Sequence, residues 1–187
     1  MRRVLRIFLL CLALCPASLR AEAEWIAVKK IYDGDTLKLK DGRKVRLIGI
    51  DAPELHRNDK LYRDAERTHR DAKTLLKMGK KSYEVLKKLV GKGPVRLEFD
   101  QTRRDKYQRS LAYVYVRVKP ERFAKAVGAP RPKKKGADAE AQEYLVNREL
   151  IRYGWADAFR NFDYRYKAEF IDLERQARQQ GIGLWKD

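Results

Sequence analysis

The chain has 187 residues, 44 of them Lys or Arg and 26 Asp or Glu, for a formal net charge of +18. Such an excess predicts a polyanionic partner held less tightly as salt rises, and charge alone does not separate nucleic acid from an anionic membrane or cell wall. Only two cysteines are present, Cys11 and Cys15, which excludes a disulfide-stapled scaffold and gives zinc no thiolate ligands elsewhere.

Residues Met1 to Arg6 carry three arginines, Ile7 to Cys15 are apolar, and small residues follow. This is the pattern of a secretory signal, with cleavage expected after Ala23. The apolar run is too short to span a bilayer, which makes an uncleaved anchor the lesser alternative. Leu14 is too bulky for the position before a lipidated cysteine, which does the same for a lipid on Cys15. Loss of residues 1–23 removes four arginines, one glutamate and both cysteines, leaving a net charge of +15. The reading is therefore an exported protein, secreted or periplasmic, with one domain over 24–187. That length suffices for a single core without cross-links.

Ile26 to Ile31 and Thr36 to Lys40 read as strands across a first turn. Asp41-Gly42 is a two-residue hairpin signal, and Arg43 to Ile50 reads as a third strand. Running up, down and up returns the chain to the same end of the sheet. Two acidic turns, Asp33-Gly34-Asp35-Thr36 and Asp51-Ala52-Pro53-Glu54, then lie together. Asp35 and Asp51 are thus expected to be neighbours although sixteen positions separate them. Two carboxylates and a backbone carbonyl, without cysteine, describe an open site for a hard divalent cation such as calcium. Glu54 lies too far along its turn to be an obvious third ligand, and it is suited to orient or deprotonate a water. Arg46 projects from the neighbouring strand, and its fork suits phosphate oxygens. Metal, carboxylate and arginine together point to attack on a phosphodiester.

Leu55 to Met78 is charged, with Leu61, Ala65, Ala72, Leu75 and Leu76 at helical spacing, and reads as an inserted surface helix. Its neighbours His56 and His69 read as exposed. Gly79 is expected to interrupt this run before a second helix over Lys80 to Val90. Val95 to Asp100 and Arg109 to Val118 read as the fourth and fifth strands. Residues 119–138, with three prolines and the run Lys133-Lys134-Lys135, read as a flexible basic insertion. Ala139 to Tyr153 and Arg165 to Gln180 read as helices, the first ending at Gly154.

Five strands with a helix between the third and fourth match an α+β fold. It is expected to be a five-stranded OB-fold Greek-key barrel packed by about three helices, plus an inserted helix and a basic loop.

The segments "DGDT", "RLIGIDAPE" and "DKYQRSLAYVY", in this order, resemble the staphylococcal-nuclease-like (thermonuclease) family. The likeness covers roughly Trp25 to Phe99, the following strand and the C-terminal helices, interrupted at 55–78 and 119–138. It implies a calcium-dependent endonuclease that cleaves DNA and RNA with little sequence preference and leaves 3′-phosphates. By resemblance, Asp35, Asp51 and the Ala52 carbonyl hold the metal, and Glu54 acts on the water. Arg46 and Arg109 stabilise charge on the phosphoryl oxygens and Tyr107 contacts the nucleotide phosphate, with Lys106 beside it to assist electrostatically.

The family often has threonine at the Ala52 position, and the carbonyl survives that change. Its stacking tyrosines correspond here to Arg160 and Phe162, or alternatively to Phe159 and Phe162. Phe162 is the expected stacking residue. A monomer is expected. The competing expectation is a catalytically silent OB-fold module that only binds nucleic acid; it usually accompanies lost acidic or arginine positions, and all five are present here.

Overall fold

A computed structural model describes residues 24–130, 132 and 139–186. The expected signal segment and the Lys133–Lys135 run lie outside the described residues. Strands β1 (Trp25–Ile31), β2 (Thr36–Leu39) and β3 (Lys44–Leu47) form the predicted meander. Two-residue β4 (Ile50–Asp51) follows, then helices α1 (Asp59–Thr68) and α2 (Ala72–Val90). Strands β5 (Pro94–Arg104) and β6 (Ser110–Val118) form a long hairpin. Helix α3 (Pro120–Val127), strand β7 (Gln142–Leu145) and helix α4 (Val146–Arg152) come next. Strand β8 (Asp157–Ala158), helix α5 (Lys167–Gln179) and a 3-10 turn at Gly183–Trp185 complete the chain.

The sheet order β3-β2-β1-β5-β6-β7 closes through a parallel β3–β6 pairing. A five-stranded barrel results, with β7 added outside it along β6. Closure leaves the edges of β3 and β6 covered by each other rather than open to other chains. Inward residues Leu37, Val45, Leu47, Val95, Ala112 and Val114 are buried, and Leu86, Leu89 and Val90 of α2 pack against them.

Four expectations change. The third strand breaks after Leu47 because Gly49 takes a φ of 78°, and a side chain there would strike the Tyr164 ring. The chain therefore leaves the barrel, and Asp51 of β4 pairs with Asp157 of β8. Gly79 does not interrupt a helix but sits inside continuous α2. Residues 120–127, read as part of a flexible insertion, form α3. Pro120 occupies the first helical turn, where its missing N–H costs nothing, and Phe123, Ala126 and Val127 enter the main core. The helix expected over 139–153 begins only at Val146, because Gln142–Leu145 pair with the open edge of β6.

Asn147 ties α4 to the strand that leads into the Gly49 bend. Its Oδ1 accepts from the Val114 N–H at 2.9 Å, and its Nδ2 donates to the Ile48 carbonyl at 2.8 Å and the Ala112 carbonyl at 3.3 Å. The side chain is fully buried, so truncation strands three backbone groups away from water. Asn147→Ala is expected to cost about 3 kcal/mol, measured as a lower urea midpoint with unchanged slope. A loss under about 1 kcal/mol contradicts that reading of the network.

Candidate active site

The two acidic turns meet as the meander requires. In the first, Asp33 Oδ1 accepts from the Asp35 N–H at 3.0 Å, folding the turn on itself. Asp35 is buried; its Oδ1 accepts from Thr36 Oγ1 at 2.9 Å and its Oδ2 from the Ala52 N–H at 2.8 Å. One carboxylate thus locks the first turn to the second. Arg46, opposite Thr36 in the β2–β3 register, places Nη1 against Asp35 Oδ1 and donates from Nη2 to Asp51 Oδ1 at 2.8 Å. A single guanidinium therefore spans both aspartates.

Glu54 belongs to the same cluster through a residue the sequence reading missed. Lys60 of α1 places Nζ 3.2 Å from Asp51 Oδ2, 3.1 Å from Glu54 Oε1 and 3.0 Å from Asp64 Oδ2. Asn58, the N-cap of α1, donates to Glu54 Oε2 at 2.7 Å and accepts from the Leu61 N–H. Leu61, fully buried, packs with Leu75, Met78 and Leu184 in a second small core. That packing fixes the inserted helix beside the site, so it is more than surface cover. The available signal was the N-cap Asn58 followed by a lysine and, four residues on, an aspartate. Burial works against the Lys60 ammonium, but Asp51, Asp64 and Glu54 raise its pKa overall.

Helix α2 crosses directly behind the catalytic candidate. A Cβ at Gly79 would lie 2.1 Å from the Glu54 carbonyl oxygen and 2.8 Å from that of Pro53. Only glycine allows this approach of helix to loop.

Arg109 stands at the end of the β5–β6 hairpin. Its Nε donates to Asp105 Oδ2 at 2.6 Å and its N–H to Asp105 Oδ1 at 3.0 Å. Since β6 runs beside β3 with Leu111 opposite Arg46, the two arginines approach the cluster from adjoining strands. Burial raises the Asp33 pKa, while the positive charges of Arg46 and Arg109 oppose the rise. Tyr107 is 68 % exposed, with Lys106 Nζ 5.1 Å and Arg109 Cζ 5.3 Å from its ring centroid.

Phe162 is not brought to the cluster. It packs with Phe159 at 5.2 Å and Tyr164 at 5.7 Å between centroids, against the main core. Phe159 and Arg160 instead line a cavity with Asp51, Lys60 and Asp157. Arg160 is anchored to buried Glu174 at 2.8 Å. Burial, together with the Glu174 and Asp51 carboxylates, pushes the Asp157 pKa up to about 6. His56 and His69 are exposed, as expected.

Among the described residues no group of three or more His, Cys, Asp or Glu side chains is set to hold a metal ion. The contact that Ala52 makes in the cluster is through its N–H. The donor chemistry nonetheless fits a hard cation: carboxylate oxygens without thiolate or imidazole. The Lys60 ammonium, against carboxylates on three sides, shows that this cluster receives positive charge.

A family model described as staphylococcal nuclease homologue matches residues 44–187. The chain is 36% identical over 103 residues to a thermonuclease of Staphylococcus intermedius, covering 54% of each protein. It is 36% identical over 168 residues to endonuclease YncB of Bacillus subtilis, covering 86% of this chain and 61% of that one. An uncharacterized endonuclease of Haemophilus influenzae is 28% identical across 100% of this chain and 80% of its own length.

Proposed function

The chain belongs to the staphylococcal nuclease homologue family and is an endonuclease, and we propose that it is an exported, calcium-dependent one. It cleaves DNA and RNA with little sequence preference and leaves 3′-phosphates. The observation that carries this reading is the Arg46 guanidinium gathering Asp35 and Asp51 at the mouth of the barrel, with Glu54 beside them through Lys60. The export part rests on the charged, apolar and small-residue pattern of residues 1–23.

Calcium, when bound by Asp35, Asp51 and the Ala52 carbonyl, supplies charge to a phosphoryl oxygen of the substrate. Arg46, already tethered at two points, is preorganised to stabilise negative charge developing on the phosphorus oxygens. Arg109 adds a second fork from the β6 side, held in orientation by Asp105. Glu54, steadied by Asn58, orients the attacking water or takes its proton. Lys106 and exposed Tyr107, next to Arg109 on the same hairpin, contact the adjoining nucleotide. Contacts of this kind address phosphate and π faces, which accounts for weak sequence preference.

The ends of the products test the assignment. Terminally labelled single-stranded DNA and RNA are each expected to yield fragments carrying 3′-phosphates when calcium is present. Fragments with 3′-hydroxyl ends would place the attack on the other side of the phosphate. Tight binding without any cleavage would leave the silent-module reading in its place.

A further inference from the structure

The register of the meander places three lysines in one transverse row. Lys30 of β1 faces Lys38 of β2, and Lys38 faces Lys44 of β3. Lys44 lies two residues before Arg46 on the same side of its strand, about 7 Å away along the backbone. Strand β3 has β2 on one side and β6 on the other. The lysine row therefore extends from Arg46 in the direction opposite to Arg109 and Tyr107.

The row is organised rather than a scatter of surface charge. Lys30 Nζ lies 4.8 Å and Lys44 Nζ 4.6 Å from the centroid of the Tyr32 ring. One aromatic ring thus contacts two like charges, and among the described residues no carboxylate pairs with Lys30, Lys38 or Lys44. A groove joins Lys30, Tyr32 and Lys44 to Tyr83 and Glu54. Its two carboxylates are engaged elsewhere: Asp33 accepts from the Asp35 N–H, and Glu54 is held by Lys60 and Asn58.

We propose that Lys30, Tyr32 and Lys44, with Lys38 in the same row, form a clamp for the phosphodiester backbone of a single nucleic-acid strand. The clamp grips the strand beyond the scissile phosphate, on the side away from Tyr107. Two ammoniums gathered on one ring without a carboxylate are satisfied by backbone phosphate, and the partly exposed Tyr83 ring, which has Lys87 Nζ 5.5 Å from its centroid, offers its other face to an adjoining base. This inference rests on the endonuclease reading of the Arg46 cluster and extends its substrate to a strand several nucleotides long.

The test compares Lys30→Ala/Lys44→Ala with Lys125→Ala/Lys186→Ala, a pair of exposed lysines on other elements that removes the same charge. Binding of fluorescein-labelled single-stranded DNA and RNA octamers is measured as salt is varied, and octamer cleavage is measured beside turnover of a nitrophenyl phosphodiester. In the clamp variant, octamer affinity is expected to fall about tenfold and the salt slope by about 1.4, the value for two lost single-strand phosphate contacts. The KM for the octamer should rise correspondingly, with kcat for the nitrophenyl diester within twofold of wild type.

Equal losses in both double variants, or no loss in either, overturn the clamp. A fall confined to one of the two nucleic acids limits it to that source. If the wild type cleaves neither substrate, the endonuclease reading fails, while the octamer binding curves still decide whether the clamp exists.

Discussion

Glu54→Gln is expected to lower kcat about 1,000-fold, within the range for loss of a positioned general base. This corresponds to about 4 kcal/mol of barrier. The substitution keeps the shape of the side chain and its contact with Asn58, and it removes the negative charge that faces Lys60. Affinity for DNA should stay within a few-fold, because Arg46, Arg109 and the basic surface are left in place. The kcat and KM effects therefore separate. A rise in KM at unchanged kcat would make Glu54 a binding group rather than the residue that handles water.

Gly79→Ala sets two effects of opposite sign against each other. In an exposed helix interior this change would stabilise by about 1 kcal/mol, because glycine is a poor helix former. Here the new methyl would stand 2.1 Å from the Glu54 carbonyl oxygen and 2.6 Å from its carbonyl carbon. Backbone atoms do not rotate away, so either α2 or the loop must move, at a cost of about 1–3 kcal/mol. The clash wins. Since Glu54 rides on that loop, a displacement of about 1 Å is expected to cost about 100-fold in kcat. Circular dichroism should show helix content retained while activity falls. A Gly79→Ala protein with wild-type turnover and raised stability would contradict the close approach.

The Asp33–Glu54 stretch was legible because its order is local. Short strands joined by tight turns carry their register with them, and an up-down-up path brings Asp35 near Asp51 whatever the rest of the chain does. The bend at Gly49 was harder to see. The contact that requires glycine there is with the ring of Tyr164, more than a hundred residues downstream.

Lys60 and Asp64 escaped because nothing in a charged amphipathic run states which of its polar residues face an active site. That choice is made by Leu61 docking on Leu75, Met78 and Leu184. By propensity Gly79 breaks a helix, and its reason for being inside α2 is close packing. Pro120 among other loop formers signals a turn, yet a proline also suits the first turn of a helix, which is where it stands. Leu145, Val146 and Leu150 satisfy a helical period, which hid four residues of edge strand that only the open side of β6 could recruit. The π face of Phe162 suits stacking on a base, but it is packed against the core.

Calcium-dependent cleavage is the measurement that bears most directly on the acid cluster. Hydrolysis of single-stranded DNA by residues 24–187 is followed in chelator and then as calcium is added back. No cleavage is expected in chelator, and turnover should rise to saturation with calcium. In Asp51→Asn the calcium needed for half-maximal rate should increase at least tenfold, since one charged oxygen ligand is lost. Full-rate cleavage in chelator, or an Asp51→Asn protein with unaltered calcium demand, would contradict the account.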